Sequence, residues 1–190
     1  ITRFVEMDLP IEDYDDLLTR KKQDLLECCR SFKVRSSIIQ TCGGCLRLLT
    51  DMSQFTHGKP TTKRDFAEVV NIAQEDAFEC LLSDNLQSAL AEACDYLTLG
   101  VDIYYDGDYG STHAELVGVY DSKDSNFRLW TGKSYPLQGQ ANSLMYCNDL
   151  DTHFIELDGD SVMILGCHDL NIFSPRSRAS AAPGSYKEQV

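Results

Sequence analysis

No apolar run in this 190-residue chain approaches the ~20 residues a helix needs to cross a bilayer, so nothing in it reads as a membrane span. Positive charge is scarce: 17 Lys and Arg stand against 30 Asp and Glu, a net charge of -13. Binding to nucleic acid or to anionic lipid requires a basic surface, so this balance argues against both partners. The chain has no phosphate-binding glycine loop, no G-x-S-x-G and no H-E-x-x-H, which removes the usual signatures of nucleotide, serine-hydrolase and zincin chemistry. It also has no internal repeat and no heptad period.

What remains is ample for a core. With 43% hydrophobic residues, the length fits one domain or two small ones, and no disulfide framework is needed. Eight cysteines without a signal peptide, several of them inside apolar helical or strand patterns, point to a reducing compartment, with the cytoplasm as the natural location. The acidity is concentrated: residues 97–175 hold twelve Asp/Glu against Lys123, Arg128 and Lys133, a regional balance of -9. Cationic ligands, divalent metals, small molecules and basic protein partners suit such a surface. The chain starts with Ile, and its segment from Ser174 is rich in Ser, Ala, Pro and Gly, so both ends read as processing boundaries of a longer sequence.

The apolar spacing predicts a helix over 12–33, carried by Leu18, Leu25, Cys28, Cys29 and Phe32. A second stripe, Ile38, Ile39, Cys42, Cys45, Leu46 and Leu49, also fits helical spacing, with a break at Gly43-Gly44. Thr62 and Asp65 form a capping-box-like start to a helix through Leu81, and Ser83 or Asp84 caps a shorter one carrying Leu86, Ala89, Leu90 and Ala93. From Leu97 the period changes to strands around 101–105, 116–120 and 127–130. The fold class is therefore α+β: a mainly helical layer over 1–96, a largely antiparallel meander over 97–175 in the same domain, and a flexible tail over 176–190. Exposed sheet edges leave self-association into a homo-oligomer open.

The final hairpin turns at Asp158-Gly159, which pairs Leu157 with Asp160, Ile155 with Val162 and His153 with Ile164. Continued outward, the register sets Asp151 opposite Gly166 and Asp149 opposite His168. It also puts Asp149, Asp151, His153 and His168 on one face. Two carboxylates and two imidazoles suit zinc, manganese or iron, so these four are the candidate metal ligands. A metal-bound water would then act as a hydrolytic nucleophile, with Asp169 assisting proton transfer.

Cys167, His168 and Asp169 follow an apolar run, and a thiol beside an imidazole at a strand end is a second catalytic candidate. Over about ten residues, Cys167, Asp169, Leu170, Phe173 and Pro175 resemble the nucleophile strand of the nitrilase family, which implies Cys167 as the nucleophile. The spacing to Pro175 departs from that pattern, and no matching glutamate and lysine segments lie upstream. The plain alternative is a buried core thiol.

Cys28, Cys29, Cys42 and Cys45 form a third constellation: a zinc or iron-sulfur site, or a redox pair at Cys42 and Cys45 within Cys-Gly-Gly-Cys. The loop Asp106-Gly107-Asp108 through His113 has alternating acids like a calcium loop, but lacks the later Glu and reads as a long hairpin connection. Trp130 fits a half-buried strand. The leading functional reading is a small-ligand or metal-binding sensing, regulatory or interaction module. A metal-dependent hydrolase and a thiol redox protein stand as alternatives.

Overall fold

The structure is a computed structural model that describes residues 14–50, 55, 61–105, 113–135, 142–147, 149–166 and 169. Its order is α1 (Tyr14–Ser31), β1 (Ser36–Gln40), β2 (Leu46–Thr50), α2 (Lys63–Asp76), α3 (Asp84–Ala93), β3 (Cys94–Tyr105), β4 (His113–Asp121), β5 (Asn126–Gly132), β6 (Leu144–Met145), β7 (Phe154–Leu157) and β8 (Asp160–Met163). This is the α+β arrangement the sequence implies. The centre of the main sheet, β3-β4-β5, is antiparallel, while β1 and β2 pair with β3, and β6 with β4, in parallel.

Each helix forms for a local reason. The Thr62 hydroxyl accepts the Asp65 N–H at 3.1 Å and starts α2, whose inner side buries Asp65, Val69 and Ala73. That helix ends earlier than its apolar stripe, because Ala77–Leu81 widens into a π-helical turn closed by the Leu82 N–H on the Ala77 carbonyl. The turn keeps Ala77 and Leu81 in the core. Ser83 precedes α3, which buries Leu86, Leu90 and Ala93. In α1 the buried positions are Leu17, Leu26 and Cys29, and Phe32 lies beyond the helix end, largely exposed.

The segment 38–49 is not helical. β-branched Ile38 and Ile39 and the glycine pair favour extended chain, and β1 and β2 run in one line along β3. The fit to helical spacing was a coincidence of a strand, a turn and a second strand: Ile39, Leu46 and Leu48 are buried, while Ile38 and Leu49 are exposed. Residues 41–45 loop out where only Leu99 and Gly100 continue β3.

Strand alternation sorts the sheet's two faces. Leu97, Leu99, Val101 and Ile103 point to the helices and form the main core with α1, α2 and α3. Tyr96 and Val119 on the far face pack against Leu157 and Ile164 of the β7-β8 hairpin. The hairpin turns at Asp158 and Gly159, with φ of 52° and 90°, and keeps the Leu157–Asp160 and Ile155–Val162 register.

Candidate functional site

The chain from β1 to β2 builds a dithiol turn. Thr41 anchors it: its N–H donates to the Thr98 carbonyl at 3.0 Å, and its hydroxyl accepts the Gly100 N–H at 3.0 Å. Any side chain at Gly100 would run into the Cys42 carbonyl, so glycine there lets the turn fold down onto β3. Gly44 has a φ of 61°, and Lys21 of α1 donates to the Gly44 and Cys45 carbonyls.

Within this turn Cys42 is half-buried and Cys45 buried, both as free thiols. Their sulfurs share a hydrogen bond that, with the charges of Lys21 and Arg47, lowers the Cys42 thiol to about 6. The same bond, together with burial, pushes Cys45 well above the ordinary thiol range. The less buried Cys42, on which the Arg47 charge also acts, is the sulfur better placed to carry the negative charge. Cys28 and Cys29 do not join this pair. Burial, chiefly, and then Cys28 raise Cys29 to about 11, and burial, chiefly, and then Cys29 raise Cys94 to about 11. Among the described residues no group of three or more His, Cys, Asp or Glu is placed to hold a metal ion.

A row of charges crosses the far face of the sheet beside the turn, unnoticed in the sequence. The register sets Arg47 beside Asp102 and Asp102 beside Glu115, and the Lys133 N–H donates to the Glu115 carbonyl. Lys133, its side chain 2% exposed, holds both Glu115 oxygens at 3.0 and 2.9 Å, and Arg47 Nε lies 3.9 Å from Asp102. His113 Nε2 lies 3.3 Å from Glu115, while its buried Nδ1 has no hydrogen-bond partner among the described residues. Burial, then the neighbouring Glu115 charge, raises Asp102 to about 6. Burial also opposes ionisation of Glu115, but hydrogen bonds from His113 and Lys133 outweigh it and hold Glu115 near 2. Polar residues interrupting apolar strands, Asp102 between Val101 and Ile103 and Glu115 between Ala114 and Leu116, were the available signal.

The hairpin's open end differs from the proposed ligand set. The Ile164 N–H donates to the His153 carbonyl at 2.7 Å, so the pairing reaches His153 and Ile164. Beyond it, Leu150–His153 coils into a 3-10 turn, which breaks the alternation that would have aligned Asp149, Asp151 and His153. Asp149 pairs with Lys63 at 2.8 Å, Asp151 is exposed, and His153 is fully buried. The His153 Nδ1–H donates to the Ile164 carbonyl at 2.7 Å, leaving Nε2 to accept the Ser134 hydroxyl at 2.8 Å. Burial lowers the His153 pKa and keeps the ring neutral. Both nitrogens are thus committed. Asp169, fully buried, accepts the Ser134, Tyr135 and Gly166 N–H groups, while burial raises its pKa. Cys167, His168, Leu170, Phe173 and Pro175 lie outside the described residues, as do Asp106 and Asp108.

Near Lys63 and Asp149, a cleft of about 410 Å³ is lined by Thr61, Phe66, Cys147 and Thr152. Among the described residues no helix is long and apolar enough to cross a membrane. Comparison with protein families, curated proteins and solved structures gave no match to this chain.

Proposed function

We propose that this chain performs thiol–disulfide exchange through Cys42 and Cys45. The observation that carries the reading is the turn itself: across two glycines it sets a half-buried Cys42 beside a buried Cys45, under the charges of Lys21 and Arg47. The thiolate is the nucleophile in such chemistry, and a pKa near 6 leaves Cys42 largely ionised at neutral pH. In the first step the Cys42 thiolate attacks one sulfur of a substrate disulfide. A Cys42–substrate disulfide forms, and the other substrate sulfur leaves as a thiolate. Cys45 then gives up its proton and attacks the Cys42 sulfur, releasing the second substrate thiol. The two cysteines end as a disulfide, and the substrate disulfide ends as two thiols, so electrons balance without a cofactor.

The test is reduction of glutathione disulfide with dithiothreitol as the final reductant. Wild type turns over above the uncatalysed rate, and Cys42→Ser does not. Cys45→Ser, mixed with glutathione disulfide in the absence of dithiothreitol, stops as a Cys42–glutathione adduct visible by mass spectrometry. Equal rates for all three proteins refute the reading.

A second reading, small-ligand binding on the charged row, draws on the buried His113 Nδ1, which has no partner among the described residues. A ligand offering it a hydrogen bond would shift the His113 imidazole resonances, which a titration by nuclear magnetic resonance detects.

A further inference from the structure

A lysine interrupts the apolar face of α1. Leu18 and Leu25, three residues before and four after Lys21, share a helix face with it and pack against the main core. Lys21 is itself half-buried, and its ammonium donates to the Gly44 carbonyl at 3.3 Å and to the Cys45 carbonyl. Fixing a long, flexible side chain in one arrangement costs conformational entropy, which the two carbonyl contacts and the buried stem offset. The contact ties α1 to the backbone of a cysteine 24 residues away.

The turn is held differently at its two ends. Before Cys42, Thr41 is bonded to Thr98 through its N–H and to Gly100 through its hydroxyl. After Cys45, pairing with β3 begins at Leu46, opposite Val101. Between the cysteines stand Gly43, exposed and with nothing near the position a side chain would take, and Gly44 at a φ of 61°. Glycine gives this stretch more backbone freedom than any other residue would. Two sulfurs joined through such a hinge keep a fixed separation only if the backbone is held on both sides of it, and Lys21 supplies the hold at Gly44 and Cys45.

We infer that Lys21 is a positioning residue for the second step of the exchange, holding the Cys45 backbone so that its sulfur closes on Cys42. This role rests on the exchange reading above and adds to it a residue outside the Cys-Gly-Gly-Cys turn. In that step the Cys45 thiol gives its proton to solvent and attacks the Cys42 sulfur. The Cys42–Cys45 bond forms, the Cys42–substrate bond breaks, and the substrate sulfur leaves as a thiolate. The two cysteines are oxidised and the substrate disulfide is reduced. The Lys21 charge acts in the same direction, since it favours the ionised form of Cys45 against burial. Closure between two held groups depends steeply on their placement, so loss of the anchor slows this step far more than the first attack, which needs only the Cys42 sulfur.

The test mixes reduced protein with glutathione disulfide in the absence of dithiothreitol, quenches in acid from milliseconds onward, and follows the Cys42–glutathione adduct by mass spectrometry. The adduct's lifetime gives the closure rate. Lys21→Met, which keeps the bulk of the stem and loses the ammonium, should lengthen that lifetime about tenfold or more. Lys21→Gln, too short to reach both carbonyls, should do the same and serves if Lys21→Met does not fold. Lys21→Arg keeps the charge and the donors and should return the lifetime to within about threefold of wild type. Alkylation of Cys42 by iodoacetamide at about pH 9.5, where its thiol is ionised, should stay within about twofold in every variant. A purely structural tie would lower the urea midpoint and leave the adduct's lifetime as it is. A lifetime unchanged in Lys21→Met and Lys21→Gln, or not restored by Lys21→Arg, or alkylation slowed as much as closure, overturns the positioning role and leaves the exchange reading intact. If wild type forms neither a Cys42 adduct nor a Cys42–Cys45 disulfide, the exchange reading fails and takes this role with it.

Discussion

Gly100 lies directly beneath the carbonyl of Cys42, so close that any side chain on β3 at that position would meet the turn's backbone. A residue on the central strand thereby sets the position of a cysteine 58 positions earlier in the chain.

Gly100→Ala should therefore lift the turn. The obstructing atoms are backbone, with no flexible side chain to swing away, so the cost is about 1–3 kcal/mol. Urea denaturation measures it as a lower midpoint, and the displaced Cys42 should alkylate at a different rate. An unchanged midpoint and an unchanged alkylation rate would show that the turn does not rest on Gly100.

Arg47 should help keep Cys42 ionised. Its positive charge, after the Cys45 hydrogen bond and Lys21, is among the influences that lower the Cys42 thiol to about 6. Arg47→Gln should move the Cys42 thiolate titration upward, followed by absorbance at 240 nm or by the pH dependence of iodoacetamide alkylation. Cys45→Ala should move it further upward, because the hydrogen bond is the largest influence. Titration curves that coincide with wild type would contradict this ordering.

Asp102 should make stability fall between about pH 4 and pH 6. Its carboxyl rises from 3.8 unfolded to about 6 folded, so in that window the folded protein retains a proton that the unfolded chain has lost. Its contribution is full below pH 4 and is lost as pH rises through 6, a change of at most about 3 kcal/mol. Glu115 has the opposite sign: lowered from 4.5 to about 2, it stabilises above pH 4.5 and loses that contribution as pH falls toward 2. Asp102→Asn should flatten the pH 4 to 6 slope and leave the acid limb in place. Denaturation midpoints collected from pH 3 to 7 would contradict this if variant and wild type ran parallel.

Ser134 and His153 should act as a structural tie between the sheet and the hairpin. Ser134→Ala removes the hydroxyl that hydrogen-bonds His153 Nε2 and costs about 1–2 kcal/mol. His153→Ala also strands the Ile164 carbonyl and opens a cavity, at about 2–4 kcal/mol. Both variants, where folded, should keep Cys42 reactivity. Unaltered unfolding midpoints would contradict the tie.

Short-range chemistry was legible in the sequence. The Thr62 cap, the Asp158-Gly159 turn and the strand alternation of Val101 and Ile103 all depend on neighbours within a few residues. The Cys42-x-x-Cys45 pair was visible for the same reason, although its setting was misread: the identity of β1 and β2 comes from pairing with β3, some 55 residues later. At the hairpin's end, the register held through Ile164 and then failed, because the 3-10 turn at Leu150–His153 redirects the chain. The row from Arg47 to Lys133 was invisible, since its members come from separate strands and meet only once the sheet forms.

The most direct test of the account is equilibration of the reduced chain in glutathione buffers of graded potential, followed by acid quench, alkylation and peptide mapping. The account predicts one cooperative two-electron transition, ending in a Cys42–Cys45 disulfide, with Cys28, Cys29 and Cys94 still alkylated as free thiols. A chain whose Cys42 and Cys45 both stay reduced, or which oxidises first at other cysteines, would contradict it.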